Sequence, residues 1–539
     1  MTSIAMILPR SIAFSLLLLT AQVIHAQDLS GNTAQGIRND GGDDILLQGF
    51  HWNSGRTSPA SWYSLLKDNA RQIRADGFTS VWMPVPWRDT SRWTDLGTGA
   101  SGGGEGYFWQ DFDKNSAYGS AGEFRQAVDA LSSAGVKLIY DVVPNHMDRQ
   151  HVGPDLKERL AGKENWRDGC DQCDDGDPFM GGDADLNTAN PNVFALFGDE
   201  FVRLRDEYSA DGLRFDFVKG YSATTVNQWM TAFGDEQFCV GELWKAPNEY
   251  PSGDWRHDAS WQDALKQWSD QSRCTVFDFA LKERMQNGDI TQWKYGLNAN
   301  PDPAWRAAAV TFVDNHDTGY SPGSSGGQHH WALPEHLRDQ AYAYILVSPG
   351  TPTVYWPDMY DWPRGSLLRQ LIQIRRIAGI RADSPITFLS SDAGLVAEVT
   401  GTQQLLLIAL GSGYSRDQIP AGFTPVLSSG HDGAIRIWSA NAVEVRLRCE
   451  NGQTRSGESV YAVGSGPELG DWNPARAVRL NDAGQYPQWQ GNVRLPDKVR
   501  YEWKCIVRSD ADPGKVIRWQ EGANTGFVAQ QGGSSKGTF

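Results

Sequence analysis

Strand-like and helix-like stretches alternate from Asp43 to Ile380, and no other feature of the chain constrains its fold as much. Apolar runs fall at 45–50, 80–84, 136–143, 213–217, 239–241, 276–278, 309–313 and 352–355. Helical periodicity fills 62–75 and 124–134, the second stretch closed by Gly135 in a C-cap role. Repeated strand–helix units imply a parallel sheet, and eight of them predict a closed (β/α)8 TIM barrel, an α/β fold. Its chemistry is expected at the C-terminal ends of the strands. The rhythm breaks between Val143 and Leu213, where 147–187 forms a long loop excursion after strand 3, rich in Asp and Gly. Long loops of this kind are usually functional or disordered, and the density of carboxylates suggests a cation site.

The barrel region is assigned to 27–383. After about Ser384 the pattern changes to short strands at 395–399, 404–409 and 434–438, predicting a small all-β domain over 384–439. A further all-β segment, 443–539, carries its own cysteine pair, and 439–442 is the best boundary between the two. Residues 1–26 read as a secretory signal: Arg10 gives a positive start, 11–19 an apolar stretch, and 21–26 ends in small residues. That stretch is too short to span a membrane, and no later segment has the apolar length to do so. Six cysteines fit export, where they would oxidise. Domain partition favours Cys449 with Cys505, Cys239 with Cys274 and Cys170 with Cys173, among fifteen connectivities that six cysteines allow. The Cys170-x-x-Cys173 spacing suits zinc or redox chemistry as well as a disulfide pinning a surface loop; without a second such pair the disulfide is preferred. The net charge of −16 argues against nucleic acid as a partner. The 22 tryptophans are an unusual count that core packing alone could use, but flat aromatic faces on surface loops are what sugar rings stack on, which favours a carbohydrate ligand.

The stretch Gly212-Leu213-Arg214-Phe215-Asp216-Phe217 places an Arg and an Asp two residues apart. In a strand they share a face, and the Arg would hold the carboxylate in place and ionised. By itself this is as readily a structural ion pair. Three more segments end predicted strands with carboxylates: Asp141-Val142-Val143-Pro144-Asn145-His146, Gly241-Glu242-Leu243-Trp244 and Val313-Asp314-Asn315-His316-Asp317.

Together these four segments, in this order on strands three, four, five and seven, resemble the motifs of the α-amylase family of glycoside hydrolases. In detail the chain is similar to the bacterial maltotetraose-forming branch, which carries a C-terminal β-sandwich starch-binding domain. The resemblance implies Asp216 as nucleophile, Glu242 as general acid and then base, and Asp317 as a group orienting sugar hydroxyls. Leu243 and Trp244 would desolvate Glu242 and raise its pKa. His146 and His316 would donate hydrogen bonds to the same sugar, and Asp141 would support Arg214. Trp52, Trp93, Tyr107, Phe108, Trp244 and Trp331 match sugar-stacking aromatics. Phe179, Gly181 and Asp183 match the far end of the cleft, where Asp183 would hold a non-reducing end and limit the product to four glucoses. Gly220 stands where most family members have His.

The same resemblance implies calcium, with Asn145, Asp174, Asp177 and Asp185 as oxygen ligands and the Gly220 carbonyl completing the set. A further calcium near the N-terminus would use Asp28, Asp43 and Asp44, although Asp40 stands where the branch has His. In the last domain Trp472 and Trp519 with Lys504 match one sugar platform, and Trp489 matches part of a second, where Ser456 replaces a Tyr of some modules. The expectation is a secreted, monomeric, calcium-dependent exo-acting retaining hydrolase of α-1,4-glucosidic bonds, with starch and malto-oligosaccharides as partners and neither nucleic acid nor membrane. An endo-acting amylase, a transglycosylase of the same scaffold, and a non-catalytic starch-binding protein are the alternatives.

Overall fold

A computed structural model describes residues 36–39, 42–56, 60–94, 101–170, 176–182, 184–391, 394–411, 419–430, 434–482 and 484–539. The eight apolar runs form the strands β1 (Leu46–Gln48), β2 (Ser80–Met83), β3 (Lys137–Val142), β4 (Ala210–Phe215), β5 (Phe238–Gly241), β6 (Thr275–Phe277), β7 (Ala309–Phe312) and β8 (Thr351–Tyr355). Each pairs in parallel with the next. β8 returns to β1, with Leu46 opposite Thr353, so the barrel closes. The strands are buried along nearly their whole length, which is why they read as continuous apolar runs and not as alternating ones.

One long helix follows every strand: α1 (Trp62–Ala75), α2 (Ala121–Ser133), α3 (Pro191–Tyr208), α4 (Ala223–Phe233), α5 (Trp261–Ser272), α6 (Phe279–Gln286), α7 (Glu335–Val347) and α8 (Gly365–Ala378). Their starts are chemically marked. Ser61, Asn190, Ser222, Ser260 and Asp278 each accept a hydrogen bond from a first-turn amide. The expected start of α2 at Phe124 moves back to Ala121, because Ser120 and Glu123 form a capping box. Gly135 ends that turn at φ +74, a left-handed conformation that a side chain would strain.

The excursion after β3 is built from short 3-10 turns and one brief helix, Pro154–Lys157. It folds back on the barrel mouth through a bridge between His146 and Asp185, and a bridge between Trp166 and Leu186 closes the excursion on itself.

Beyond the barrel lies a seven-stranded mixed sheet, antiparallel except where Gly533–Thr538 pairs in parallel with Val445–Glu450. It contains β9 (Ile386–Ser390), β10 (Leu395–Thr400), β11 (Gln404–Leu410), β12 (Thr424–Ser429) and the long β13 (Ile435–Glu450). Two of these, β9 and β12, go beyond the three strands expected there. The boundary expected at 439–442 falls inside β13, which runs through it unbroken. What changes at that point is the pairing. Ile435 to Asn441 pair with β11, whereas Ala442 to Cys449 pair with Trp489–Pro496. A second sheet is built on Glu458–Gly464 and Arg500–Ser509, and the two sheets enclose a core containing Leu447, Val460, Leu495 and Trp503. Disulfides join Cys239 to Cys274 across β5 and β6, and Cys449 to Cys505 across the two C-terminal sheets. Cys173 lies outside the described residues, as do residues 1–26. Among the described residues no helix is long and apolar enough to cross a membrane.

Candidate active site

Parallel register sets the floor of the site. Asp141 on β3 lies directly opposite Arg214 on β4, and Phe215 lies opposite Gly241 on β5. Asp216 and Glu242 each occupy the first position past their strands. Both amides still donate to the neighbouring strand, Asp216 to the Val142 carbonyl at 2.9 Å and Glu242 to the Phe215 carbonyl at 3.0 Å. The two carboxyl groups are thus fixed by the last rungs of the sheet. Phe217, immediately after Asp216, is left-handed at φ +47, and this sharp turn lets its amide donate to Glu242 Oε2 at 3.4 Å.

Arg214 is the hub. Its Nη1 donates to Asp141 Oδ1 at 2.8 Å and to Asp216 Oδ1 at 2.7 Å. Its Nη2 lies 2.7 Å from Glu242 Oε1, an ion contact outside hydrogen-bond alignment. The guanidinium rests over the Trp82 ring at 5.0 Å, and its side chain is 1% exposed. Asp141 is further held by Trp82 Nε1 at 3.1 Å and the Tyr107 hydroxyl at 2.9 Å. Since that hydroxyl donates to Asp141, His316 Nε2, 2.6 Å from it, carries the proton and donates to it. His316 Nδ1 then accepts from Gln48 Nε2 at 2.9 Å.

Burial pushes the acids up and Arg214 pulls them down. Desolvation raises Asp216 and Asp141 to about 6, against the opposing pull of Arg214. Glu242 is raised further, to about 7, again by burial first. The sequence expectation that Arg214 alone keeps Asp216 ionised is therefore too simple: the arginine moderates a larger desolvation. Arg214 itself is held firmly charged, because Asp141, Glu242 and Asp216 outweigh its own burial. Asp317 is also driven upward, by burial and then by Glu242, although its side chain is 20% exposed and solvent moderates the push. Burial lowers His146 to about 3 and drives His316 down as well, so both are neutral imidazoles.

Above this floor opens a cleft of about 250 Å³. Asp216, Glu242 and Asp317 reach it, as do Trp52, Trp93, Tyr107, Phe108, His146, Phe179 and Trp244. Phe179, delivered by the excursion, stacks on His146 with centroids 3.6 Å apart and planes 1° from parallel. Nε2 of His146 is buried with no geometrically aligned hydrogen-bond partner among the described residues. Three expected residues stand back from the opening. Arg214 and His316 lie beneath it at or below 1% exposure, and Trp331 stacks behind Trp244 at 6.0 Å. Gly181 is at φ +94 beside the cleft with open space around it, and Asp183 lies outside the described residues.

Residues to which the sequence assigned no site role also line the cleft: Met180, Phe217, Lys219, Gln328 and His330. Met180 is 79% exposed and left-handed. An apolar side chain ahead of Gly181-Gly182 was the available signal for it. Gln328 and His330 sit in the β7–α7 loop some ten residues past the Asp314-Asn315-His316-Asp317 motif, in a stretch that carries no motif of its own, so nothing marked them.

The expected cation ligands are only partly gathered. Asn145 Nδ2 donates to Asp185 Oδ1 at 3.2 Å, and Asn145 Oδ1 presses on Gly220 so closely that a Cβ there would lie 2.0 Å from it. Gly176 and Asp177 donate backbone amides to the Gly220 and Lys219 carbonyls. Among the described residues no group of three or more His, Cys, Asp or Glu is gathered for a metal, though the oxygens of Asn145, Asp185 and Gly220 are of the kind a hard cation takes. The Asp177 carboxylate is paired with Lys245, and Asp174 lies outside the described residues. Near the N-terminus Asp44 is buried against Thr79 and Lys137, Asp43 is exposed, and Asp28 lies outside the described residues; among the described residues no second cradle is gathered there.

In the C-terminal module Ile506 pairs with Trp519, and Trp472 packs on the small cluster that contains Ile506. Lys504, two residues along the same strand, donates to the Gln520 and Gly522 carbonyls beside Trp519. Trp519 is 41% exposed. Trp489 lies apart, its Nε1 bound to the Gly452 carbonyl and its ring 6.5 Å from the exposed Tyr486.

Comparison with known proteins places these features in context. Residues 442–538 match the family model described as starch binding domain, and 360–422 match that described as glucan 1,4-alpha-maltotetraohydrolase, domain C. A glucan 1,4-alpha-maltotetraohydrolase of Roseateles saccharophilus is 54% identical over 95% of this chain and 96% of its own. One of Stutzerimonas stutzeri is 54% identical with the same coverage. Among solved structures, a gamma-CGTase from the alkalophilic Bacillus clarkii superposes with a TM-score of 0.54 at 16% identity, covering 95% of this chain and 99% of its own. That likeness concerns the fold alone.

Proposed function

The chain belongs to the glucan 1,4-alpha-maltotetraohydrolases, and on that premise we propose that it releases maltotetraose from the non-reducing ends of starch by retaining hydrolysis. The observation that carries the chemistry is one buried arginine serving three carboxyl groups beneath a sugar-sized cleft.

Asp216, the lower of the two central acids, attacks the anomeric carbon as a carboxylate, and the glycosidic C–O bond breaks as Glu242 gives its proton to the leaving oxygen. The resulting glycosyl ester is cleaved by water, whose proton returns to Glu242, and the sugar leaves with its anomeric configuration retained. Arg214 takes no proton; it orients Asp216 and Glu242 and keeps their environment cationic. Asp317 accepts from sugar hydroxyls. His146, neutral and with no aligned partner for Nε2 among the described residues, donates to the same ring. Phe179, Phe108 and Trp93 offer apolar faces toward the far end of the cleft, where Asp183 would hold the non-reducing terminus. Such a blocked end turns a cleft into a ruler and makes action exo.

Calcium would be held by Asn145, Asp185 and the Gly220 carbonyl, with Asp174 and Asp177 as further oxygen donors. When bound, it supplies only positive charge that ties the excursion to the turn after Asp216. The C-terminal module would dock granules through Trp472, Trp519 and Lys504, with Trp489 as a second contact. The leader-like N-terminus and the oxidised cysteines support secretion.

The test is a time course of soluble starch digestion followed by chromatography. A single tetrasaccharide from the earliest points is expected. A ladder of mixed oligosaccharides at early times would overturn exo action, and absence of any reducing sugar would overturn hydrolysis.

A further inference from the structure

A cleft of about 710 Å³ lies between the barrel and the C-terminal module, remote from the strand-end carboxylates, and its charge is unlike that of the rest of the molecule. The chain carries a net −16, yet four guanidinium groups line this cleft, those of Arg306, Arg476, Arg479 and Arg508. One carboxylate, Asp510, faces them, and it already accepts from the Ser459 and Tyr461 hydroxyls, both at 3.1 Å.

The arginines are positioned largely by neutral groups. Arg306 donates to the carbonyls of Asn300, Pro301 and Asp383. Arg508 donates through Nη1 to the carbonyls of Pro474 and Ala475, and its guanidinium lies 3.7 Å from the Tyr461 ring centre. Arg479 reaches Ser459 at 3.0 Å and stands 3.9 Å from Asp510. Arg476 leans on Asp471 at 3.3 Å. Carbonyls and an aromatic face fix guanidinium direction without cancelling charge, so the cleft keeps a positive surplus and unspent N–H donors. Asp510 and Asp471 pair with Arg479 and Arg476, so the four guanidinium groups still outnumber the carboxylates paired with them, and such planar forks suit a tetrahedral dianion.

We propose that this cleft binds a phosphate group, either as free inorganic phosphate or as a monoester carried on a glucan. The loop from Asp471 to Arg476 forms one wall, and the same loop presents Trp472. A phosphate on Arg476 and Arg508 therefore sits beside the sugar platform proposed for the module. The ester form rests on that starch-binding reading; the free-anion form does not.

The experiment uses the full chain and the variants Arg479→Gln and Arg476→Gln/Arg479→Gln. Arg479 is 66% exposed, so its replacement leaves the fold intact. Inorganic phosphate, titrated against chloride at equal ionic strength, should raise the thermal midpoint saturably in the wild type. Its apparent affinity should fall about tenfold in the variants, the scale of one charge-assisted hydrogen bond. Phosphate and chloride acting alike, or variants matching wild type, would overturn the proposal. A 6-phosphorylated malto-oligosaccharide held about tenfold more tightly than its unphosphorylated twin, with the difference lost in the variants, identifies the ester as occupant. Equal retention of the two sugars alongside saturable phosphate binding identifies the free anion. Failure of all glucan binding with phosphate binding intact would count against the module's role and not against this site.

Discussion

Four carboxyl groups, Asp141, Asp216, Glu242 and Asp317, crowd around the buried cation Arg214 at the barrel mouth, with Lys219 reaching the same cleft. Fully ionised, they would outnumber the cations beside them in a poorly solvated space, so the site retains protons well above the usual carboxylate range. Which acid keeps a proton is a matter of position. Asp216 accepts an aligned hydrogen bond from Arg214, whereas Glu242 contacts the same guanidinium out of line, and Glu242 is the more readily protonated. The working state needs Asp216 ionised and Glu242 protonated. Activity should accordingly fall as pH drops below about 6, where Asp216 takes up a proton, and fall again as pH rises past about 7, where Glu242 loses one. A pH profile of kcat/KM on a short malto-oligosaccharide checks this, and a plateau extending to strongly alkaline pH would remove Glu242 from the acid's role.

At the scale of elements, two contacts carry testable consequences. The turn after β4 is pinned to the excursion where Asn145 meets Gly220, and no Cβ fits there. Gly220→Ala should displace the Asn145 amide at a cost of about 1–3 kcal/mol. It should also abolish most of the rise in thermal midpoint that added calcium gives the wild type; an undiminished calcium response would remove Asn145 and Gly220 from the ligand set. The second contact joins β10 to the C-terminal module. Glu398, on β10, is raised well above the ordinary value by burial and then by Glu468, and Glu468 is itself raised to about 7 by burial. Because the folded state holds these protons more tightly than the unfolded chain, their stabilisation is complete below the ordinary glutamate value. It is lost as pH climbs through about 7. The thermal midpoint should thus decline from pH 5.5 to pH 8, and Glu398→Gln should flatten that decline. An identical slope in the variant would sink the idea.

For the whole molecule, the continuity of β13 changes what a truncation does. Ending the chain at Asn441 cuts a strand in two, yet the half that remains, Ile435 to Asn441, keeps its full pairing with β11. The barrel and the first five antiparallel strands lose no hydrogen-bonded partner strand except the continuation of β13 itself. The truncated protein should therefore hydrolyse soluble malto-oligosaccharides at nearly wild-type rate and bind raw starch granules much more weakly. A sedimentation assay with granules measures the second, and undiminished granule binding would place starch docking elsewhere in the molecule.

The sequence by itself determined the barrel and the order of its motifs. Buried parallel strands and capped helices leave local signatures, namely apolar runs, Ser or Asp before a helix, and Gly after one, and a strand end carrying a carboxylate is visible as a string of letters. Tertiary structure alone decided the rest. That Arg214 touches Glu242 as well as Asp216 depends on register between β4 and β5. That His316 and Trp331 support the cleft from behind depends on which ring reaches the opening first. Met180, Gln328 and His330 enter the site from loops whose course no periodicity encodes. The unbroken β13 hid its change of partner, because pairing is a property of neighbours brought together in space and a strand's own residues do not record who they are.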